Sequence, residues 1–219
     1  MGAPHGAPRL WGGDVTQERR EVVAVGLTGG IGAGKTTALG LFGELGARTL
    51  SADRIVHDLY RQRGLSADIA AHFGQHVLDE RGLVDRSKLA DEVRGRVDRL
   101  RWLESLTHPR VTKRIRRQIK AAPSGTVLVV EVPLLFEADL AGLFDMVVTV
   151  EAGEEARRRR STHAFDLGQF AEFESLQASG KRRVEGSDLA FHNDGTVDDL
   201  RRFVCEVYHR ARDLLEEDR

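Results

Sequence analysis

The chain is poor in several things, and each shortage removes a class of protein. Its 219 residues include one cysteine, Cys205, so no disulfide can form within the chain and a cysteine zinc site has no support. That usage fits a reducing, cytoplasmic setting. No apolar run reaches the roughly 20 residues a membrane-spanning helix needs, so no membrane partner is expected. Neither sign of charge is in excess. Lys and Arg number 33 against 34 Asp and Glu, a net charge of -1 that points to no nucleic acid. No internal repeat is present. Met1 to Gly13 lack the apolar stretch of a signal peptide and are rich in Gly, Pro and Ala. Residues 1–20 are expected to be a disordered tail, with order beginning near Glu21. The whole chain is 41% hydrophobic and 31% charged, ordinary for one domain with a full core.

What is present reads as α/β. Val22-Val23-Ala24-Val25-Gly26-Leu27 is short, β-branched and apolar throughout, the pattern of a strand buried on both faces. A glycine-rich loop and a helical pattern through Ala38, Leu41, Phe42 and Leu45 follow, stopped at Gly46. A short strand is predicted near Thr49-Leu50-Ser51. Ile55 to Ala122 reads as helical, with Pro109 breaking it and Val111, Ile115 and Ile119 lining a further helix. Val127 to Val130 and Met146 to Val150 return to strand. Glu154 to Gly186 reads as polar helix and loop, Leu189 to His192 as an edge strand. Val197, Leu200, Phe203, Val204, Val207, Ala211 and Leu214 mark a closing helix.

Gly29-Gly30-Ile31-Gly32-Ala33-Gly34-Lys35-Thr36 matches G-x-x-x-x-G-K-[ST] in full. Glycines let successive N–H groups turn inward around phosphate oxygens, and the next helix points its positive end at the same place. Lys35 is placed to reach the β- and γ-phosphates, and the Thr36 hydroxyl to ligate Mg²⁺. A strand before and a helix after the loop argue against a chance match. No Asn-Lys pair exists, so the guanine reader of a GTPase is absent. Asp79-Glu80-Arg81-Gly82 reads D-x-x-G without a strand before it and is ascribed to chance. A small chain with helical insertions suits a kinase of a small metabolite.

Asp53 follows the second strand, at the strand ends that face the ligand crevice in this fold. It fits a base that takes the acceptor hydroxyl proton, and equally an N-cap for a helix beginning at Arg54. Glu131 ends a buried-type strand, where it can orient Mg²⁺ through water or hold a neighbouring cation. The basic residues around Arg114 and Arg117 fit a solvated face and, as the alternative, a surface that attracts the phosphates of an acceptor.

The stretch Val25 to Thr37 resembles the opening of the dephospho-CoA kinase family, close to G-L-T-G-G-I-G-S-G-K-S-T. Ser51-Ala52-Asp53 stands where that family has D-A-D, with Ser51 for the first Asp; Leu106-Thr107-His108-Pro109 matches L-x-H-P, and Glu131 to Glu137 matches D-x-P-L-L-x-E with Glu131 in place of the usual Asp. Gln177, Asp188 and Asn193 fall at its late Q, A-D and N positions. The resemblance runs from about Val22 to Asn193. It implies the P-loop nucleoside-triphosphate hydrolase fold, a five-stranded parallel sheet with helices on both faces. A helical acceptor-binding region over 55–122 and a helical lid over 155–185 complete it.

The implied activity is phosphorylation of the ribose 3′-hydroxyl of dephospho-CoA, the last step of coenzyme A biosynthesis, with ATP and Mg²⁺. Gly30, Ile31, Gly32, Ala33, Gly34, Lys35, Thr36 and Thr37 would hold the nucleotide, and Asp53 would be the base. Thr28, His108 and Leu135 would join Asp53 on the acceptor side, although His108 before a proline also suits holding a helix–helix turn. Two family arginines are absent: Phe173 stands where one is usual, and the lid opening reads Ser161-Thr162-His163-Ala164. The run Arg157 to Arg160 offers a substitute, with Arg158 matching a family arginine at the lid base and Arg182 or Arg183 in reserve. Two other readings follow from this departure. One is a nucleotide-binding relative with weak or no transfer, the other a kinase for a different nucleoside or small alcohol.

Overall fold

The computed structural model describes residues 21–161, 174 and 177–216. The tail expected at 1–20 lies outside the described residues, as do 162–173 and 175–176 of the expected lid, Phe173 among them. The strands are β1 (Val22–Gly29), β2 (Arg48–Ser51), β3 (Thr126–Glu131), β4 (Met146–Glu151) and β5 (Leu189–His192). The described helices are α1 (Lys35–Glu44), α2 (Ala52–Tyr60), α3 (Arg63–Phe73), α4 (Arg86–Val93), α5 (Val97–Lys120), α6 (Glu154–Ser161), α7 (Gly180–Glu185) and α8 (Val197–Glu216).

All strand pairs are parallel, in the order β2-β3-β1-β4-β5. The three central strands read as unbroken apolar runs because helices cover both faces. Strand alternation then divides the side chains. Val23, Val25, Val127, Val129, Val148 and Val150 face α1 and α8, meeting Phe42, Leu200, Phe203 and Val207. Leu128, Val130 and Val147 face the other way, meeting Ile55, Ile69, Leu103 and Ile115 of α2, α3 and α5. Each fully buried Val, Leu or Phe contributes about 1.5–3 kcal/mol relative to exposure. The edge strand β5 keeps the alternation of a strand covered on one face, half-buried then exposed. The chain leaves β1 toward β2 at one edge and leaves β3 toward β4 on the other side, so a crevice opens at the carboxyl ends of β1 and β3.

Two expectations for 55–122 need correction. First, Pro109 does not break the chain: α5 runs 24 residues straight through it. Proline removes the bond to the Ser105 carbonyl, but neighbouring carbonyls gain side-chain donors. Thr107 Oγ1 donates to Leu103 O (2.8 Å), Arg110 Nη1 to Leu106 O (2.6 Å) and Thr112 Oγ1 to His108 O (2.9 Å). Leu103, Thr107, Val111 and Ile115 form one buried face across the proline, so packing overrides the local preference. His108 therefore sits mid-helix and holds no helix–helix turn. Second, the region is not helical throughout. A 3₁₀ turn at Gln75–Val77 and an antiparallel bridge between Leu78 and Val84 interrupt it. The D-x-x-G stretch is the tight turn of that bridge, with Asp79 Oδ1 accepting from the N–H groups of Arg81 and Leu83.

Candidate active site

The phosphate loop is shaped by what cannot fit beside it. Gly29 ends β1 at φ 146°, and a Cβ there would stand 1.9 Å from the carbonyl oxygen of Val150 on β4. Gly34 has φ 105° and caps α1; a Cβ would stand 2.5 Å from Asn193 Nδ2. That amide donates to Ala33 O at 2.8 Å, tying the end of β5 to the loop. Only glycine satisfies both the backbone angle and the space. The N-terminus of α1 then opens at Lys35, with unpaired N–H groups toward the crevice.

Lys35 is nearly buried, 9% exposed, and its Nζ donates to Gly29 O (2.9 Å) and Gly30 O (2.8 Å). Burial pushes its ammonium below the usual lysine range, while Glu131, Asp53 and Glu151 favour the charged form and Arg183 opposes it. Thr36 Oγ1 donates to Glu131 Oε1 at 3.2 Å. A hydroxyl and a carboxylate, two hard oxygens, thus meet at the mouth of the loop. Among the described residues, no three His, Cys, Asp or Glu side chains gather to hold a metal unaided.

The carboxylates arrive by register. Glu131 closes β3, pairing with Leu27 of β1 on one side and Ser51 of β2 on the other. Asp53 lies two residues beyond Ser51. Here the N-cap expectation fails: α2 begins at Ala52 with Ser51 as its cap residue, so Asp53 is inside the first turn with its side chain free for other work. Burial raises the Asp53 carboxyl above the usual aspartate range, against the pull of Lys35 and then Arg86. Burial also raises Glu131, opposed by Lys35 and reinforced by Asp53. Tyr60, its phenol pushed up to about 12 by burial, feels the same Arg86. Sequence reading missed Arg86, since 33 residues separate it from Asp53 and no motif marks it.

The other expected acceptor contacts sit deeper than the resemblance implied. Thr28 is fully buried and its Oγ1 donates to Pro133 O at 3.5 Å. Leu135 is fully buried in the core against the α2–α5 side of the sheet. Both therefore floor the crevice rather than face it. His108 is half-buried in α5. Of the loop residues, Gly30 to Gly34 and Lys35 surround the cradle, and Thr36 and Thr37 are exposed on the first turn of α1.

The arginine run splits as a helix dictates. Arg158 does not stand at the loop: it is half-exposed and pairs with Glu154 one turn back at 2.7 Å. Its neighbour Arg157 does, with a side chain only 13% exposed. Arg157 Nε donates to Ala152 O and Nη1 pairs with Glu174 at 2.6 Å, while its Cδ lies 3.3 Å from where a Cβ on Gly30 would stand. Arg160 Nη2 donates to Asn193 O. Arg183 is 4% exposed and forms a two-pronged pair with Glu151 at the end of β4, at 2.5 and 3.0 Å. Its charge is thereby matched. A cavity of about 610 Å³ opens between Arg157, Gln177, Lys181, Arg183 and His192, beside the loop. Asp188, matched in sequence without a role, accepts from Val147 N and fastens β5 to β4.

Known proteins share this arrangement. A family model described as dephospho-CoA kinase matches residues 23–199. Dephospho-CoA kinase of Streptomyces avermitilis is 37% identical over 202 residues, covering 87% of this chain and 96% of that protein. The Aquifex aeolicus dephospho-CoA kinase is 33% identical over 186 residues, covering 84% and 95%. Among solved structures, a Thermus thermophilus protein superposes with a TM-score of 0.72 at 26% identity, covering 86% of this chain and 97% of its own. Dephospho-CoA kinase from Campylobacter jejuni gives 0.66 at 23% identity, covering 88% and 98%, a likeness of fold. With the family model spanning most of the chain and the phosphate loop, Asp53 and Glu131 gathered at the carboxyl ends of β1, β2 and β3, the chain belongs to the dephospho-CoA kinase family.

Proposed function

We propose that the crevice at the ends of β1 and β3 transfers the γ-phosphoryl group of ATP to the ribose 3′-hydroxyl of dephospho-CoA, giving CoA and ADP. The observation that carries this reading is the meeting of Lys35, Thr36 and Glu131 with Asp53 where β1, β2 and β3 end. The phosphate loop holds the triphosphate through its N–H groups, and Lys35 exchanges its carbonyl partners for the β- and γ-oxygens. Asp53 accepts the 3′-hydroxyl proton as that oxygen attacks phosphorus. The region 55–122 receives the acceptor, with His108 and Arg86 on its side, and the described parts of 155–185, α6, Gln177 and α7, border the nucleotide. A reducing, cytoplasmic setting belongs to this reading; Cys205 is an unpaired thiol, and no helix among the described residues is long and apolar enough to cross a membrane. Initial rates with dephospho-CoA, beside nucleosides, sugars and small alcohols at equal concentration, test the acceptor. Dephospho-CoA should exceed every other acceptor in kcat/KM, and a better rival would overturn the assignment.

Mg²⁺ fits the mouth of the loop: Thr36 Oγ1 would ligate it and Glu131 would hold it through water, the triphosphate supplying further oxygens. When bound, the ion neutralises charge on the phosphate oxygens. Turnover should therefore vanish in excess chelator and return with Mg²⁺ or Mn²⁺. Full turnover in chelator would contradict the mechanism.

Placement supports one arginine for neutralising the transferring group. Arg157, over Gly30, is assigned this task in exchange for Glu174. Arg157→Ala should lower kcat on the order of 10²-fold, the cost of losing one preorganised donor, and Arg158→Ala should be nearly silent. Turnover of all four single variants along Arg157 to Arg160 decides this; a silent Arg157→Ala beside a crippled Arg158→Ala reverses the assignment.

A further inference from the structure

Gln177 sits where three segments meet, and its amide bonds to each. Its Oε1 accepts from the Ile31 N–H at 3.0 Å, and its Nε2 donates to Gly29 O at 3.4 Å and to Pro133 O at 3.3 Å. Gly29 and Ile31 belong to the phosphate loop, Pro133 to the loop that follows Glu131. The backbone beside the amide is itself anchored. Gln177 N donates to Glu174 O, Ala178 N donates to Glu137 Oε1, and Ala178 O accepts from Arg183 Nη1. Arg183 is in turn locked by the buried Glu151. The amide is thus held from behind by an ion pair on the sheet and reaches forward between two loops.

We propose that Gln177 is a positioning residue for phosphoryl transfer: it clamps the phosphate loop to the loop after β3 and so sets where the Lys35 ammonium, held on Gly29 O, stands. The loop needs such a clamp because Gly29 and Gly30 have no side chains with which to fix their own conformation. Gly29 O receives two donors, Lys35 Nζ and Gln177 Nε2. A shift of that carbonyl therefore moves the ammonium. Pro133 O likewise receives Thr28 Oγ1 and Gln177 Nε2, which joins the end of β1 to the carboxylate-bearing loop. The task calls for one acceptor and two donors on a single planar group, which a primary amide supplies and a carboxylate or an ammonium does not.

This inference rests on the crevice being the ATP site, and the test separates the two. ATP binding is measured by calorimetry on the full chain without acceptor, together with steady-state kinetics and thermal melting. Gln177→Met keeps the bulk and loses every bond. Gln177→Glu keeps the acceptor oxygen and sets a negative charge against two carbonyls and the arriving phosphates. Gln177→Met should weaken ATP binding about tenfold and lower kcat by up to about 10²-fold, the cost of an ångström-scale misplacement. Gln177→Glu should lose at least as much. The KM for dephospho-CoA should stay within about twofold and melting within a few degrees, because the core is untouched. Wild-type ATP affinity and kcat in both variants would overturn the clamp, as would parallel losses for both substrates with a collapse in melting temperature. A wild-type protein that binds no ATP would instead overturn the reading of the crevice itself.

Discussion

Lys35→Ala should leave no measurable phosphoryl transfer, with kcat falling by about 10³–10⁵-fold, the range for a cation that neutralises the transferring group. The charge is placed by burial rather than by flexibility. Its Nζ already lies between the Gly29 and Gly30 carbonyls, both within the loop that would cradle the triphosphate. Desolvation lowers its pKa, and the carboxylates of Glu131 and Asp53 work against that loss. In a site closed to water a charge-assisted contact is at its strongest. Truncation also frees two carbonyls whose loop is otherwise tied by Gln177 and Asn193, so the fold should persist. Single-turnover kinetics beside a melting curve check this: transfer lost with melting retained is the expected pattern. Transfer within tenfold of wild type would remove Lys35 from the mechanism.

Asp53→Asn should lower kcat by about 10²–10⁴-fold, the usual contribution of a positioned base, while ATP binds as tightly as before. The amide keeps the shape of the carboxylate and cannot take the proton. Losing a negative charge near the phosphates does not weaken nucleotide binding. A pH profile sharpens the assignment. Burial raises the Asp53 pKa, and the base works only when ionised. The acid limb of kcat/KM should therefore fall at a pH above the ordinary aspartate range. Asp53→Asn should abolish that limb. Glu131 is raised by burial as well. A limb that survives in Asp53→Asn and disappears in Glu131→Gln would hand the proton-accepting role to Glu131. Turnover near wild type in Asp53→Asn would end the base assignment outright.

The elements that carry the chemistry were legible because each rests on a local rule. A doubly buried strand must be apolar throughout, which marked β1, β3 and β4. A glycine-rich turn into a helix marked the phosphate cradle, and the stripe from Leu200 to Ala211 marked α8. Where packing decides, the same rules fell short. Pro109 reads as a breaker, yet Leu103, Thr107, Val111 and Ile115 hold one face across it. Four successive arginines carry no periodicity, so which of them turns toward Gly30 depends on how α6 leaves β4, a tertiary fact. Thr28 and Leu135 lie within motif matches, but their complete burial follows from the sheet above them. The Glu151–Arg183 pair and the reach of Arg86 toward Asp53 join residues about 30 apart and are visible only once the strands are in register.

The most direct test of the central claim follows the phosphorus atom. ATP, Mg²⁺ and dephospho-CoA are incubated with the full chain and observed by ³¹P NMR. A 3′-phosphomonoester signal should grow in step with ADP, one for one, and an analogue lacking the 3′-hydroxyl should give no such signal. ADP accumulating without the ester, or phosphate appearing at any other position of the acceptor, would contradict the assignment of this crevice.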